Sequence, residues 1–304
     1  MLYPKQAIYG NQCLMVTPFD AEGKLDETSL RRLVDHLIGR GVHGIIATGS
    51  TGEFFTLDRN ERYRLMDIVC EQARGRVPVT FGCGDTSTAR VLDLIGRAER
   101  AGATAVLVQP AFYNPGFFNN GQVMLDYFRR LGDASGLPLM LYDGGGGMEI
   151  PFDVMRRLVM STERVKYIKV TVPSPGKVKL IVQELGERVE PFCGNDGLPL
   201  LMLASGARGF SLGIGNALPG ETSRFYQTYI EGNKEEARRI YYTRLLPTIN
   251  VALGSTSEFI QCFKQILVWQ GVIASPAVRQ PLLPLDADRL AELKAVYEMI
   301  GDNL

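Results

Sequence analysis

Short runs of apolar, β-prone residues alternate with longer amphipathic stretches eight times before residue 231, and this beat limits the folds open to the chain. Strand and helix signals alternating at that spacing specify repeated βα units around a parallel sheet. The predicted strands are Cys13 to Thr17, Gly44 to Thr48, Val77 to Phe81, Ala105 to Gln109, Leu137 to Tyr142, Val165 to Val170, Val189 to Cys193 and Gly209 to Gly213. The predicted helices lie near 27 to 40, 59 to 74, 88 to 101, 120 to 132, 152 to 162, 176 to 186, 197 to 205 and 219 to 231. Eight strands, each followed by a helix, close into an α/β fold of the (β/α)8 TIM barrel kind. An open doubly wound sheet would need a GxGxxG stretch after an early strand, whereas Gly213-Ile-Gly215 follows the eighth strand and lacks the rest of that pattern.

Past residue 231 the beat stops, and helical stretches are expected near 234 to 251, 257 to 270 and 286 to 300, with Pro276, Pro281 and Pro284 before the last. The expected organisation is a catalytic barrel over 1–231 and a three-helix C-terminal extension over 232–304. The extension's apolar faces would pack on the barrel or on a neighbouring subunit. Formal charge is zero, with 33 basic and 33 acidic residues, so no broad charged face points to nucleic acid or to an anionic membrane. Small molecules and other subunits are the expected partners. Cys13, Cys70, Cys83, Cys193 and Cys262 are scattered and form no ligand-like cluster with His36 or His43, so they offer no metal site. The amino terminus lacks the apolar core of a signal peptide, and no apolar run approaches the roughly 18 residues that span a bilayer. A cytoplasmic location with reduced thiols follows as an expectation.

In a βα barrel the loops leaving the carboxyl ends of the strands form the active face, so residues distant in sequence meet there. This rule selects Gly49-Ser-Thr-Gly-Glu53, Gln109 to Tyr113, Tyr142-Asp143, Lys169, Gly194-Asn-Asp196 and Ser211 to Asn216. Lys169 stands out because a lysine amine held beside apolar walls loses hydration and can attack a carbonyl to form a Schiff base. Only nine lysines accompany 24 arginines, and most of the others fall in helices, turns or the first residues. Strand parity puts Val165, Tyr167 and Lys169 on one face, with Lys166, Ile168 and Val170 on the other. The Gly49, Ser50 and Thr51 loop combines close backbone approach with hydroxyl donors and suits a carboxylate. Tyr142, and by the same logic Tyr113, offers a phenol that can carry a proton.

With these stretches assembled, the chain resembles the dihydrodipicolinate synthase and N-acetylneuraminate lyase family of class I aldolases. The likeness runs in order through Val16-Thr-Pro-Phe19, Gly49-Ser-Thr-Gly-Glu53, Pro110 to Asn114, Leu141-Tyr142, Ile168-Lys169, Gly194-Asn-Asp196 and Gly209 to Pro219. It implies that Lys169 forms an imine with pyruvate or a related 2-oxo acid, that Tyr142 transfers protons, and that Ser50 and Thr51 hold the carboxylate. It further implies that Thr51 joins a hydroxyl relay with Tyr113, which reaches into a neighbouring subunit's site, so that the chain forms a homodimer or homotetramer. No cofactor is needed.

Two departures shape the expected substrate. Dihydrodipicolinate synthases carry an arginine shortly after the strand-five tyrosine to grip a second carboxylate, but here the segment reads Asp143-Gly-Gly-Gly-Gly-Met-Glu149. Sialic acid lyases place an acidic pair after strand seven, where this chain has Asn195, Asp196 and Gly197. Asn195, Asp196, Ser211 and Gly213 are therefore expected to bind the rest of the substrate, with Asp143 or Glu149 as further hydroxyl ligands. The expected function is a Schiff-base lyase that cleaves, forms or dehydrates a 2-keto-3-deoxy-type acid. The alternatives are a dihydrodipicolinate synthase with a substituted carboxylate site, or a non-catalytic barrel that binds a 2-oxo acid.

Overall fold

The computed structural model describes residues 8–112, 120–254 and 258–301. Within them the sheet is a closed parallel barrel whose eight strands neighbour one another in sequence order, with β1 pairing β8. The strands are β1 (Gly10–Leu14), β2 (Gly44–Ala47), β3 (Val79–Gly82), β4 (Ala105–Val108), β5 (Leu139–Asp143), β6 (Val165–Val170), β7 (Glu190–Cys193) and β8 (Gly209–Leu212). The layer around them holds α1 (Glu27–Gly39), α2 (Arg59–Ala73), α3 (Thr88–Ala101), α4 (Gly121–Ala134), α5 (Phe152–Ser161), α6 (Pro175–Leu185), α7 (Pro199–Ala204) and α8 (Pro219–Ile230). The chain is thus a (β/α)8 TIM barrel. Beyond it lie α9 (Lys234–Ile240), α10 (Leu246–Leu253), α11 (Phe259–Trp269) and α12 (Ala287–Gly301).

Three strands begin later than the apolar runs suggest, β7 by one residue and β3 and β5 by two, and proline explains the two larger delays. Pro78 and Pro138 have no N–H to give the ladder, so β3 and β5 start just after them, while their carbonyls still accept from Ile45 and Val106 at 3.1 Å. At the first strand the run Cys13 to Thr17 is shifted: pairing occupies Gly10–Leu14. Met15 makes one more bond, to the Ile46 carbonyl at 2.9 Å, before the chain leaves the sheet.

Side-chain parity divides the core in two. Leu14, Ile46, Leu107, Met140, Tyr142, Tyr167 and Phe192 fill the barrel interior. Ile168, Val170 and the helix residues form the layer outside it. Val165 belongs with the outer layer rather than with Tyr167 and Lys169. The register steps from Leu139↔Val165 to Met140↔Tyr167, so a bulge at Lys166 breaks the alternation.

The extension joins the same outer core through Ile240, Leu245, Ile249, Phe263, Ile266 and Leu293. Its first stretch is helical as expected but is broken by a π-turn over Tyr241–Leu245. Pro247 explains the break, because it cannot donate to the carbonyl four residues back. Lys264 of α11 ties the extension to the barrel by pairing with Glu53 where both side chains are fully buried. Lys264 Nζ also donates to the Ala277 carbonyl at 2.7 Å, and the second Glu53 oxygen accepts from the Arg279 amide at 3.0 Å. Among the described residues no helix is long and apolar enough to cross a membrane.

Candidate active site

The ends of β2, β5, β6 and β7 converge on a cavity of about 380 Å3 lined by Ser50, Thr51, Tyr142, Lys169, Asn195 and Asp196. Lys169, only 2% exposed, reaches this cavity from β6, and its Nζ lies 3.7 Å from the centre of the Tyr142 ring. The two residues are register partners on adjacent strands, so the barrel itself fixes their pairing. Gly194 makes room for the lysine: a Cβ there would stand 2.8 Å from Lys169 Cε and 2.4 Å from Thr171 Oγ1.

Burial pushes the Tyr142 phenol up, but the Lys169 ammonium and hydrogen bonds with Lys169, Ser50 and Thr171 outweigh it and hold the phenol below its ordinary value. Tyr142 thus holds its proton less tightly than a free phenol and sits in a chain of hydroxyls. Thr171, two residues beyond Lys169, is the member of that chain which the sequence reading did not select. The available signal was inward parity at i+2 from the candidate amine.

The Gly49 to Glu53 loop forms a tight bend in which the Gly52 and Phe54 amides donate to the Gly49 carbonyl and the Glu53 amide to Ser50. The amides of Ser50 and Thr51 make no bond to another backbone group among the described residues, which leaves two donors beside their hydroxyls at the cavity. Glu53 anchors the bend in a left-handed conformation, φ 54°, through its ion pair with Lys264. Gly49 is buried in the loop but does not line the cavity.

The residues selected after strands seven and eight are largely occupied. Asp196 accepts from the amides of Gly213 at 3.2 Å and Ile214 at 2.8 Å, and burial raises its carboxyl to about 6. Asn195 donates to the Thr171 carbonyl at 3.3 Å and accepts from the Gly197 amide at 3.0 Å. Ser211 is fully buried on β8, and neither it nor Gly213 lines the cavity. Tyr113 lies outside the described residues.

The glycine segment folds back over the tyrosine. Gly145–Gly147 form a short 3-10 turn, and a Cβ on Gly145 would approach the Tyr142 ring to 2.7 Å. Asp143, expected near the mouth, is instead fully buried and bonded to Lys177 Nζ at 2.7 Å and to the Ile150 amide at 2.7 Å. Glu149 meets the same ammonium at 2.9 Å. Neither carboxylate reaches the cavity wall. A larger cavity of about 870 Å3, between α2 and α3, shares Phe55 with the site and takes Phe112 from the selected Gln109 to Tyr113 stretch, but Lys169, Tyr142, Ser50 and Thr51 do not line it. Among the described residues no group of three or more His, Cys, Asp or Glu side chains is placed to hold a metal ion.

The sequence model of the dihydrodipicolinate synthetase family matches residues 8–300. The chain belongs to that family. It is accordingly a lyase. The 4-hydroxy-tetrahydrodipicolinate synthase of Pelobacter propionicus is 32% identical over 298 residues, covering 96% of this chain and 98% of the relative. That of Methanothrix thermoacetophila is 30% identical and covers 95% of each. Among solved structures, the 4-hydroxy-tetrahydrodipicolinate synthase of Methylacidiphilum fumariolicum SolV superposes with a TM-score of 0.90 at 28% identity, covering 98% of this chain and 97% of that one. YagE, a prophage protein of E. coli K12 from the dihydrodipicolinic acid synthase family, was solved in complex with pyruvate. It gives 0.90 at 27% identity, covering 97% and 99%.

Proposed function

We propose that this lyase forms an imine between the Lys169 amine and C2 of pyruvate or a related 2-oxo acid, and makes or breaks a carbon-carbon or carbon-oxygen bond next to it. The observation that carries this reading is the buried Lys169 amine set against the Tyr142 ring at the end of adjacent barrel strands. In the proposed mechanism the Ser50 and Thr51 amides and hydroxyls hold the carboxylate, and Tyr142 carries protons to and from the carbinolamine with Thr171 on its phenol. The protonated imine then serves as the electron sink, so the chemistry runs without a cofactor. Family resemblance and the pyruvate complex of YagE support the choice of 2-oxo acid.

The barrel over 1–231 is proposed as the catalytic unit and the extension over 232–304 as the part that roofs the cavity. The protein is further proposed to be a cytoplasmic homodimer or homotetramer in which Tyr113 extends the relay into a neighbouring site. Its five cysteines, all free thiols, suit a reducing compartment.

The test is a panel of 2-keto-3-deoxy acids screened for pyruvate release and for dehydration, with Lys169→Ala beside the wild type. A wild type active on at least one acid and a variant slowed by roughly 10³-fold or more support the imine. A variant that keeps the wild-type rate overturns it. A second reading, that the chain is itself a 4-hydroxy-tetrahydrodipicolinate synthase, is favoured by the name its relatives share. Condensation of pyruvate with aspartate semialdehyde at the rate of those relatives would establish it.

A further inference from the structure

The cavity wall is polar where the barrel strands end, but hydrocarbon where the C-terminal extension meets it. Beyond Lys169 and Tyr142 the wall is made by Leu14, Phe55, Leu253, Phe259, Ile260 and Leu282. The last four come from the C-terminal extension, which closes the cavity with hydrocarbon. Lys169 is the only cation in the described wall, so a second carboxylate would find no cationic partner there.

The polar residues Asp196, Asn195 and Thr171 of this wall already spend part of their hydrogen-bonding capacity on the protein itself. Both oxygens of Asp196 accept from backbone amides, and both ends of the Asn195 amide are engaged. Thr171 is engaged with Tyr142 and, at 3.4 Å, with the Gly194 carbonyl. Substrate hydroxyls placed among these groups would have only their remaining donor and acceptor positions to replace the bonds made with water.

One glycine shapes the apolar wall. A Cβ at Gly213 would stand 2.7 Å from Phe259 Cζ and Phe263 Cε2, so the missing side chain is what lets the Phe259 ring settle over the end of β8. At Gly197, beyond β7, a Cβ would make only ordinary contact with Leu253 Cδ1, at 3.8 Å. Phe259 is held in turn by edge contact with Phe263, ring centres 4.7 Å apart.

We propose that the half of the substrate remote from the 2-oxo acid is uncharged and apolar, aromatic or branched aliphatic, and is bound by Phe259, Leu253, Ile260 and Leu282 over Gly197 and Gly213. The inference rests on the Schiff-base reading given above. In the condensing direction pyruvate and the Lys169 amine form the imine with loss of water, and loss of a C3 proton gives the enamine. Its C3 attacks the carbonyl carbon of an apolar aldehyde, one carbon-carbon bond forms, and the aldehyde oxygen takes a proton. Water then hydrolyses the imine, which frees the lysine and a 4-hydroxy-2-oxo acid. Cleavage is the same sequence reversed.

The experiment compares kcat/KM for pyruvate condensation with benzaldehyde, 2-methylpropanal, glyceraldehyde and succinic semialdehyde, alongside borohydride trapping of the wild type with pyruvate alone. The inference expects a trapped adduct on Lys169 and a preference for benzaldehyde or 2-methylpropanal of roughly tenfold or more over the other two. Phe259→Asn, and independently Leu282→Asn, should each erase most of that preference. An adduct accompanied by preference for glyceraldehyde or succinic semialdehyde overturns the apolar wall as the selector and leaves the Schiff-base reading standing. Absence of an adduct overturns that reading and the inference with it.

Discussion

Tyr142 carries the heaviest demand placed on any single side chain except Lys169. Removing its hydroxyl as Tyr142→Phe should lower kcat by about 10²–10⁴-fold, the ordinary worth of a positioned acid or base, while Lys169 still takes up pyruvate in a reducible form. The donating form is the neutral phenol, and the Lys169 charge holds its pKa below the usual tyrosine value of about 10. The alkaline limb of the kcat/KM profile, which reports the free enzyme, should therefore fall below that value in the wild type and be absent in Tyr142→Phe. Lys169 was legible in the sequence because strand parity and position turn a lysine at the mouth into an unusual object. Thr171 was not, since a threonine at a strand end is ordinary until its partner's phenol is seen beside it. Nor could spacing reveal that the Asp196 oxygens are taken by the Gly213 and Ile214 amides.

At the scale of elements, local chemistry decides most boundaries. Helix α2 starts with a reciprocal cap: the Asp58 side chain accepts from the Glu61 amide at 2.9 Å, and Glu61 accepts from the Asp58 amide at 3.0 Å. Asp58→Ala should cost about 1 kcal/mol, read as a lower denaturant midpoint at unchanged slope. A change of slope would mean instead that the cap alters the compactness of one of the states. The starts of β3 and β5 were open to reading, because Pro78 and Pro138 announce where donation to the ladder becomes possible. The bulge at Lys166 was hidden, because it arises from how β6 must register with β5 and no residue type marks it. The fall of the Asp143 carboxylate into the Lys177 pocket was hidden for the same reason: it depends on α6 packing under the glycine segment.

Across the whole molecule, the extension and the barrel share one core and one buried ion pair. Lys264→Met would leave the Glu53 carboxylate buried without its cation, a loss of about 3–5 kcal/mol, and thermal unfolding should show it as a large drop in Tm. Burial lowers Lys264 to about 8, with Glu53 opposing the shift. A second buried charge works at the opposite end of the scale. Glu190, fully buried with Arg208 3.6 Å away, is raised to about 7 by loss of hydration, with Arg208 opposing the rise.

An acid with a raised folded pKa holds its proton more tightly in the native state. Stability from Glu190 is therefore complete below its unfolded value of about 4.3 and is lost as pH rises toward 7. Glu190→Gln should thus narrow the difference in Tm between about pH 5 and about pH 8. An undiminished difference would assign the pH dependence to other groups. The barrel and its extension were legible from the βα beat and its end, but the supply of Leu253, Phe259, Ile260 and Leu282 to the site was not. Apolar faces in the sequence do not say which surface they will cover.

The central claim is that Lys169 is the imine-forming amine, and borohydride reduction in the presence of pyruvate followed by peptide mass analysis tests it most directly. The account predicts one pyruvate-derived adduct, on the peptide carrying Lys169, and none in Lys169→Ala. An unmodified Lys169, or an adduct on another lysine, would contradict it.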